Sequence, residues 1–269
     1  MTKHVHTRIL VAAVTVGVAL AAGSLSANHS WGNYHWARTA NPFLLAVGDN
    51  VTSVWDSFLS SAISDWSQSA VMSPTRVAGG SRSKNCRATT GRIEVCNGSY
   101  GSNGWLGIAR ISVSGDHITA ATTRVNDTYF NTATYNTPAW RQLVMCQEVG
   151  HDFGLDHQDE NFNNANLGTC MDYTSNPDGG GGFGPGNLHP NAHDYDQLEI
   201  IYNHLDRTST VGSLGAVSAQ DSEDQPAQWG RLIRSSRNGR VHIYELDLGN
   251  GRRVFTHVFW ADLEGDSRR

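Results

Sequence analysis

The chain has 269 residues and a formal net charge of −5, with Lys and Arg outnumbered by Asp and Glu. That length fits one substantial domain, or one domain with a small appendage. No basic stripe occurs, which argues against a nucleic-acid partner. Gly, Ser, Thr and Asn are abundant and Lys is scarce, a composition of loops and turns that disfavours a helical bundle.

The N-terminus reads as a signal peptide over residues 1–27. Lys3 and Arg8 form a positive region, Ile9 to Gly23 an apolar run, and Ser24 to Ala27 a small-residue cleavage segment. The run is short for a membrane span, and no Cys follows it to carry a lipid. The rival reading is an uncleaved anchor. Cleavage removes two positive charges and no negative ones, so the net charge moves from −5 to about −7. The expected mature protein is secreted, monomeric and without a stable membrane span. Its four cysteines, Cys86, Cys96, Cys146 and Cys170, point to two disulfides with three possible pairings. Cys86–Cys96 would close a short loop around a hairpin. Cys146–Cys170 would bracket the motif described below and add about 3 kcal/mol on the chain-entropy model.

In chain order, Val51, Val54, Trp55, Phe58, Leu59, Ala62, Ile63 and Trp66 share one helical face. The spacing predicts a long first helix capped by Asp49 or Asn50 and ended before Pro74. "RIEVCNG", "GWLGIARISVSG" and "HITAATTRVND" are β-branched runs broken by Gly and Asn, and read as strands. A second helix starts at the Thr137 cap with Pro138 in its first position and stops near Gly154. Ser175 to Asn187 is a Gly-rich loop. A third helix starts at Asn191 with Asp194 as capping partner, and buries Tyr195, Leu198, Ile201, Tyr202 and Leu205. Residues 213–226 read as a linker. After it, "WGRLIRS", "RVHIYELDL" and "RRVFTHVFWADL" form an antiparallel meander, the first two joined across Asn238–Gly239. The meander is too small to stand alone and is expected to pack on the main body. The domains are thus a main body over 28–212 and an appendage over 227–269.

The chemistry-bearing stretch is "MCQEVGHDFGLDHQDE", Met145 to Glu160. Gln147 and His151 lie one helical turn apart on one face. Glu148 sits beside that face. Gly154 can take a left-handed conformation and end the helix, so the chain turns back and His157 approaches the same point. Two groups on a helix and one after a turn make a three-sided cup for a metal, open on its fourth side. A metal there acidifies a water and polarises a carbonyl, and Glu148 accepts the proton.

The run Glu148 to His157 resembles the H-E-x-x-H-x-x-G-x-x-H signature of the metzincin clan of zinc (Zn2+) endopeptidases, and most of all the secreted matrixin type. The resemblance covers the layout from Trp31 to Leu205. It implies an α/β (α+β) fold with a twisted mixed sheet, a long first helix, an active-site helix, a Met-turn at Met171 and a C-terminal helix. It implies zinc ligation by His151 and His157, with Gln147 in the place of the first His, and Glu148 as general base. Tyr173 resembles the tyrosine that related families place beside the metal, as a ligand or an oxyanion stabiliser. The resemblance also implies an extended peptide or protein substrate pairing with an edge strand. "GWLGIAR" is the candidate, through Leu106, Gly107 and Ile108.

The chain departs from the pattern at Gln147 and has no cysteine-switch propeptide. His189 and His193 flank the third helix and are candidate replacement ligands, against the plainer role of capping and packing. Asp152, Asp156, Asp159 and Glu160 form a negative rim, one of which can orient a liganding His. His117 reads as a strand residue, and His242 and His257 as exposed or packed residues of the meander. The competing reading of the whole is a secreted module that keeps the fold and binds peptides without cleaving them.

Overall fold

The computed structural model describes residues 29–212, 226–236 and 239–261. The expected signal peptide, nearly all of the linker, Asn238 of the hairpin turn and the C-terminal tail lie outside the described residues. The described chain is a mixed α/β structure of nine strands and four α-helices.

The strands are β1 (His35–Trp36), β2 (Phe43–Asn50), β3 (Met72–Ala78), β4 (Ile93–Gly98), β5 (Trp105–Ser114), β6 (His117–Asn126), β7 (Arg231–Ser235), β8 (Val241–Gly249) and β9 (Arg252–Trp260). They form one sheet in the order β3-β2-β4-β6-β5-β9-β8-β7, with β1 added along β6. The half from β3 to β6 is parallel, and the half from β6 to β7 antiparallel. The helices are α1 (Asp56–Trp66), α2 (Asp127–Phe130), α3 (Pro138–His151) and α4 (Ala192–Ile201). α1 connects the parallel pair β2 and β3, as a parallel connection requires. It packs on β3 and on α3, and α3 lies on β5 and β6.

Burial explains the arrangement. Phe43, Leu45 and Val47 of β2 point inward while Leu44 is 74% exposed, the alternation of a strand covered on one face. The main core joins them to Leu59, Ala62, Ile63 and Trp66 of α1 and to Leu143, Val144, Val149 and Phe153 around α3. The sheet's other face carries a smaller cluster of Trp105, Ile108, Trp229 and Val258.

The first helix is only 11 residues long. Asp49 and Asn50 end β2, where Asn50 donates to the Glu94 carboxylate, and the helix begins after Trp55 without a side-chain cap. Of the apolar face read over 51–66, Leu59, Ala62, Ile63 and Trp66 are buried on α1, Trp55 is buried just before it, and Val54 is 58% exposed. The sequence reading missed β2 and β3. Pro74 sits within β3, which is tolerated because β3 is a sheet edge. Cys86 and Cys96 do pair, but across a loop and a parallel strand, with no hairpin between them. At α4 the Asn191–Asp194 capping box is formed; Leu198 and Tyr202 are buried, whereas Leu205 is 57% exposed.

The largest correction concerns the meander. β7, β8 and β9 are no separate appendage: β9 pairs with β5 along nearly its whole length, from Trp105–Trp260 to Ser114–Arg252. β5 therefore has a partner on each side, and the sheet's edges are β3 and β7. Leu106, Gly107 and Ile108 have no free edge with which to pair an extended peptide, because this chain's own β9 takes that position.

Candidate metal centre

α3 carries the motif into the core. The Thr137 side chain accepts from Trp140 N at 3.2 Å and Pro138 fills the first position, where its missing N–H leaves no intrahelical bond unmade. Trp66 of α1 donates its indole N–H to Cys146 O at 3.1 Å. The Cys146–Cys170 disulfide ties the helix to the loop that holds Met171. The helix ends at His151, and Gly154 then takes a φ of +94°. A Cβ there would stand 2.3 Å from Tyr34 O, so both conformation and space call for Gly. The returning chain is stitched to the N-terminal segment: Trp31 N donates to Gly154 O at 2.7 Å and Asp156 N to His29 O at 2.6 Å. This brings His157 over His151.

The two imidazoles meet at Nε2, 3.0 Å apart, with both residues buried. His151 Nδ1 donates to Leu155 O at 2.8 Å, so its Nε2 carries a lone pair. His157 Nδ1 faces Asp156 Oδ1 and Glu160 Oε1, each at 3.5 Å, and makes a hydrogen bond to neither. The contact is closed either by a proton on His157 Nε2 or, with both Nε2 atoms bare, by a cation between them. Burial, followed by the charge of His157, holds the His151 pKa well below the usual value, which disfavours a proton on its own Nε2.

The third member is His257 of β9. It is 1% exposed, and its ring lies 3.9 Å from that of His151 and 4.7 Å from that of His157, centroid to centroid. One ring nitrogen from each of His151, His157 and His257 falls within 4.8 Å of the others. Both His257 nitrogens lack a hydrogen-bond partner, and burial, then the neighbouring imidazoles, push its pKa well down. Glu148 lies beside it, with Oε2 3.8 Å from His257 Nδ1. Neither Glu148 oxygen makes a hydrogen bond of good geometry; burial followed by the charge of Asp152 raises its pKa well above the usual range, against a smaller opposing effect of the Ala109 backbone N–H. Such a concentration of buried, unpartnered polar atoms is rare in native folds and fits a bound cation. Neutral imidazoles and a carboxylate are donors that suit zinc, so the residues present fit that ion.

Gln147 is buried one turn before His151. Its Nε2 donates to Cys170 O at 2.8 Å while its Oε1 has no partner. Met171 is buried in the loop under the helix, where its carbonyl accepts from Gln158 N. Tyr173 is buried, with its ring 4.3 Å from that of His157 and its hydroxyl without a partner; burial, then Glu148, raises its pKa well above the usual value. Gly107 acquires a role other than the expected one. A Cβ at that position would stand 2.6 Å from Glu148 Oε1, so Gly107 makes the room in which the carboxylate lies.

Of the acidic rim, Asp156 and Glu160 are the members beside a candidate ligand. Both also pair with Arg234 of β7, whose Nη2 is 2.7 Å from Asp156 Oδ1. The Asp156 pKa ends below its usual value: burial, which raises it, is outweighed by Arg234 and His157. That of Glu160 falls to about 2, through His157 first and Arg234 after it. Asp152 instead accepts from Thr123 Oγ1 at 2.8 Å. His189 bonds Asp65, and His193 stacks on His29; neither joins the three-histidine group.

The sequence reading missed His257. Its signal was alternation: Phe255, His257 and Phe259 share one face of β9, and the two phenylalanines belong to the main core. A His on the inward face of an apolar strand needs a partner, and this one has the other two imidazoles.

No family model and no curated protein matches the chain. Among 11 matching chains of solved structures is that of myroilysin, at 14% identity and a TM-score of 0.33, covering 62% of this chain and 82% of that one. What the site can do therefore rests on its own geometry. The described residues hold no helix long and apolar enough to cross a membrane.

Proposed function

We propose that this protein is an exported, metzincin-like zinc metallopeptidase whose cleft is closed by its own C-terminal strands. The observation that carries the reading is the convergence of His151, His157 and His257 beside the unpartnered Glu148 carboxylate. Those three imidazoles would hold the metal, which supplies Lewis acidity and lowers the pKa of a water. With the metal bound, Glu148 would carry the proton from the attacking water to the departing amine nitrogen. Tyr173 offers a hydroxyl donor for the developing oxyanion. The two disulfides agree with an oxidising, extracellular setting.

β9 lies along β5 where an extended substrate would add, and Glu148 and Tyr173 are sealed from solvent. Cleavage of a peptide thus requires β7–β9 to move. When β9 moves, His257 moves with it, and the unpartnered Gln147 Oε1 is then the candidate third ligand. The same seal favours a second reading: a zinc-holding module with the fold of a peptidase and no turnover.

The test uses the zinc-loaded mature chain, intact and nicked within residues 213–225, on an unfolded protein substrate. The peptidase reading expects cleavage by the nicked form and its loss in Glu148→Ala. Zinc bound in equal amount with no cleavage by either form supports the second reading instead.

A further inference from the structure

A second group of imidazoles lies outside the site described above. His35 of β1, His117 at the start of β6 and Asp206 beyond α4 bring one donor atom each within 4.8 Å of one another, and His204 lies beside His35 and Asp206. His35 Nε2 and His204 Nε2 are 3.2 Å apart. Asp206 Oδ1 stands 3.2 Å from His117 Nε2, 3.5 Å from His35 Nε2 and 3.7 Å from His204 Nε2. A tetrahedral zinc site, with ligand bonds of about 2.0–2.1 Å, separates its donor atoms by about 3.3 Å. These four of the six edges lie within a few tenths of that value.

The protonation pattern agrees with the geometry. His35 Nδ1 donates to Asn33 O at 2.7 Å, so a neutral His35 presents a lone pair at Nε2. That lone pair faces a second imidazole nitrogen and a carboxylate oxygen, and has no proton to offer either. The carboxylate is itself aimed from behind. Its Oδ2 accepts from Arg38 N at 3.1 Å and from Arg38 Nη1 at 3.0 Å, which leaves Oδ1 toward the rings. Arg38 is 1% exposed and so holds that orientation firmly. An oriented carboxylate and a fixed imidazole tautomer are the supports that liganding residues ordinarily have.

We infer that His35, His117, His204 and Asp206 form a second, structural centre for a divalent transition metal, best matched by zinc. Four protein donors would close the coordination sphere, as in a structural rather than a catalytic site. The centre would clamp three parts of the chain that are far apart in sequence: the N-terminal segment, β6 and the extension of α4. The same N-terminal segment, through His29 and Trp31, holds the loop that presents His157. The second metal thus braces the first site.

Zinc stoichiometry and affinity, read with a competing chelator, test this on the full mature chain. His204 has a 47% exposed side chain, so His204→Ala removes a donor with little loss of packing. The double variant His117→Ala/His204→Ala removes two, and His151→Ala/His157→Ala empties the other site as a control. The expected result is that His204→Ala weakens one zinc by at least ~10-fold, since changes even behind a metal ligand cost ~10–100-fold. The double variant then binds one zinc fewer than wild type, and its thermal midpoint no longer rises with zinc as the wild-type midpoint does. The control retains one zinc that His204→Ala in the same background releases; that outcome holds even if the other site binds nothing. Unchanged stoichiometry and affinity in both His204 variants, with the folded far-UV signal intact, would overturn the second centre.

Discussion

His257 lies against His151 with ring centroids 3.9 Å apart, although one residue sits on β9 and the other ends α3. The pairing β9–β5 makes this possible: it sets His257 opposite Ala109, on the strand that α3 covers. The C-terminal strands therefore both supply a candidate ligand and cover the site.

If His257 completes the first metal site, His257→Ala weakens zinc binding there by at least ~10-fold, whereas Gln147→Ala has a smaller effect in the closed chain. Titration with a competing chelator measures both. Equal losses from the two substitutions would place Gln147 among the ligands while β9 is docked.

Gly107→Ala tests the packing of the Glu148 carboxylate. The added methyl meets Glu148 Oε1 at 2.6 Å and Val144 Cγ1 at 2.7 Å, so the carboxylate or the strand must shift. Overpacking of this kind costs about 1–3 kcal/mol, readable as a lowered denaturation midpoint. Zinc binding is expected to survive it. Wild-type stability would show that the carboxylate is not confined by β5.

Arg234 latches β7 to the loop that carries His157 through Asp156 and Glu160. Arg234→Ala should cost about 1–3 kcal/mol, less than the ~3–5 of a fully buried pair because its side chain is 40% exposed. Hydrogen exchange in β7–β9 should rise before that in β4 or β6.

The latch also sets a pH dependence. Glu160 titrates at about 2 in the folded chain against an ordinary value of 4.5. The unfolded state binds the proton more readily, so stability falls as pH falls between those values. Glu160's contribution is fully present above pH 4.5 and is lost as the pH drops toward 2. Glu160→Gln should be less stable than wild type at pH 6 and should converge with it at low pH. A constant difference across that range would rule the linkage out.

Loss of the Cys146–Cys170 bridge, in Cys146→Ala/Cys170→Ala, removes a cross-link with a sequence separation of 24. On the chain-entropy model this costs about 3 kcal/mol, measured by denaturant unfolding. Since the bridge holds the loop of Met171 to α3, zinc affinity is expected to fall with it. Unchanged stability would mean that the buried contacts around Met171 hold the loop unaided.

The sequence alone determined the features set by neighbours in the chain. Thr137 and Pro138 start α3, Asn191 and Asp194 start α4, and Gly154 turns the chain so that His157 returns over His151. Each depends on capping, a fixed φ or helical periodicity, and these act over a few residues. The strands β4–β9 were legible from their β-branched runs and punctuating Gly and Asn. Only the tertiary structure decided which strands lie side by side. Pairing joins residues far apart in sequence, and a single chain's periodicity carries no record of the partner. β2 was hidden for another reason: Phe43, Leu45 and Val47 face the core while Leu44 faces solvent, so both faces of its first half are apolar and no polar alternation marks it as a strand. The same limit applied to the site. His151 and His157 were found because a helix and a turn connect them. His257, and the group of His35, His117 and Asp206, came together only when the sheet closed, because imidazoles and carboxylates of distant segments share a point in space and no pattern in sequence.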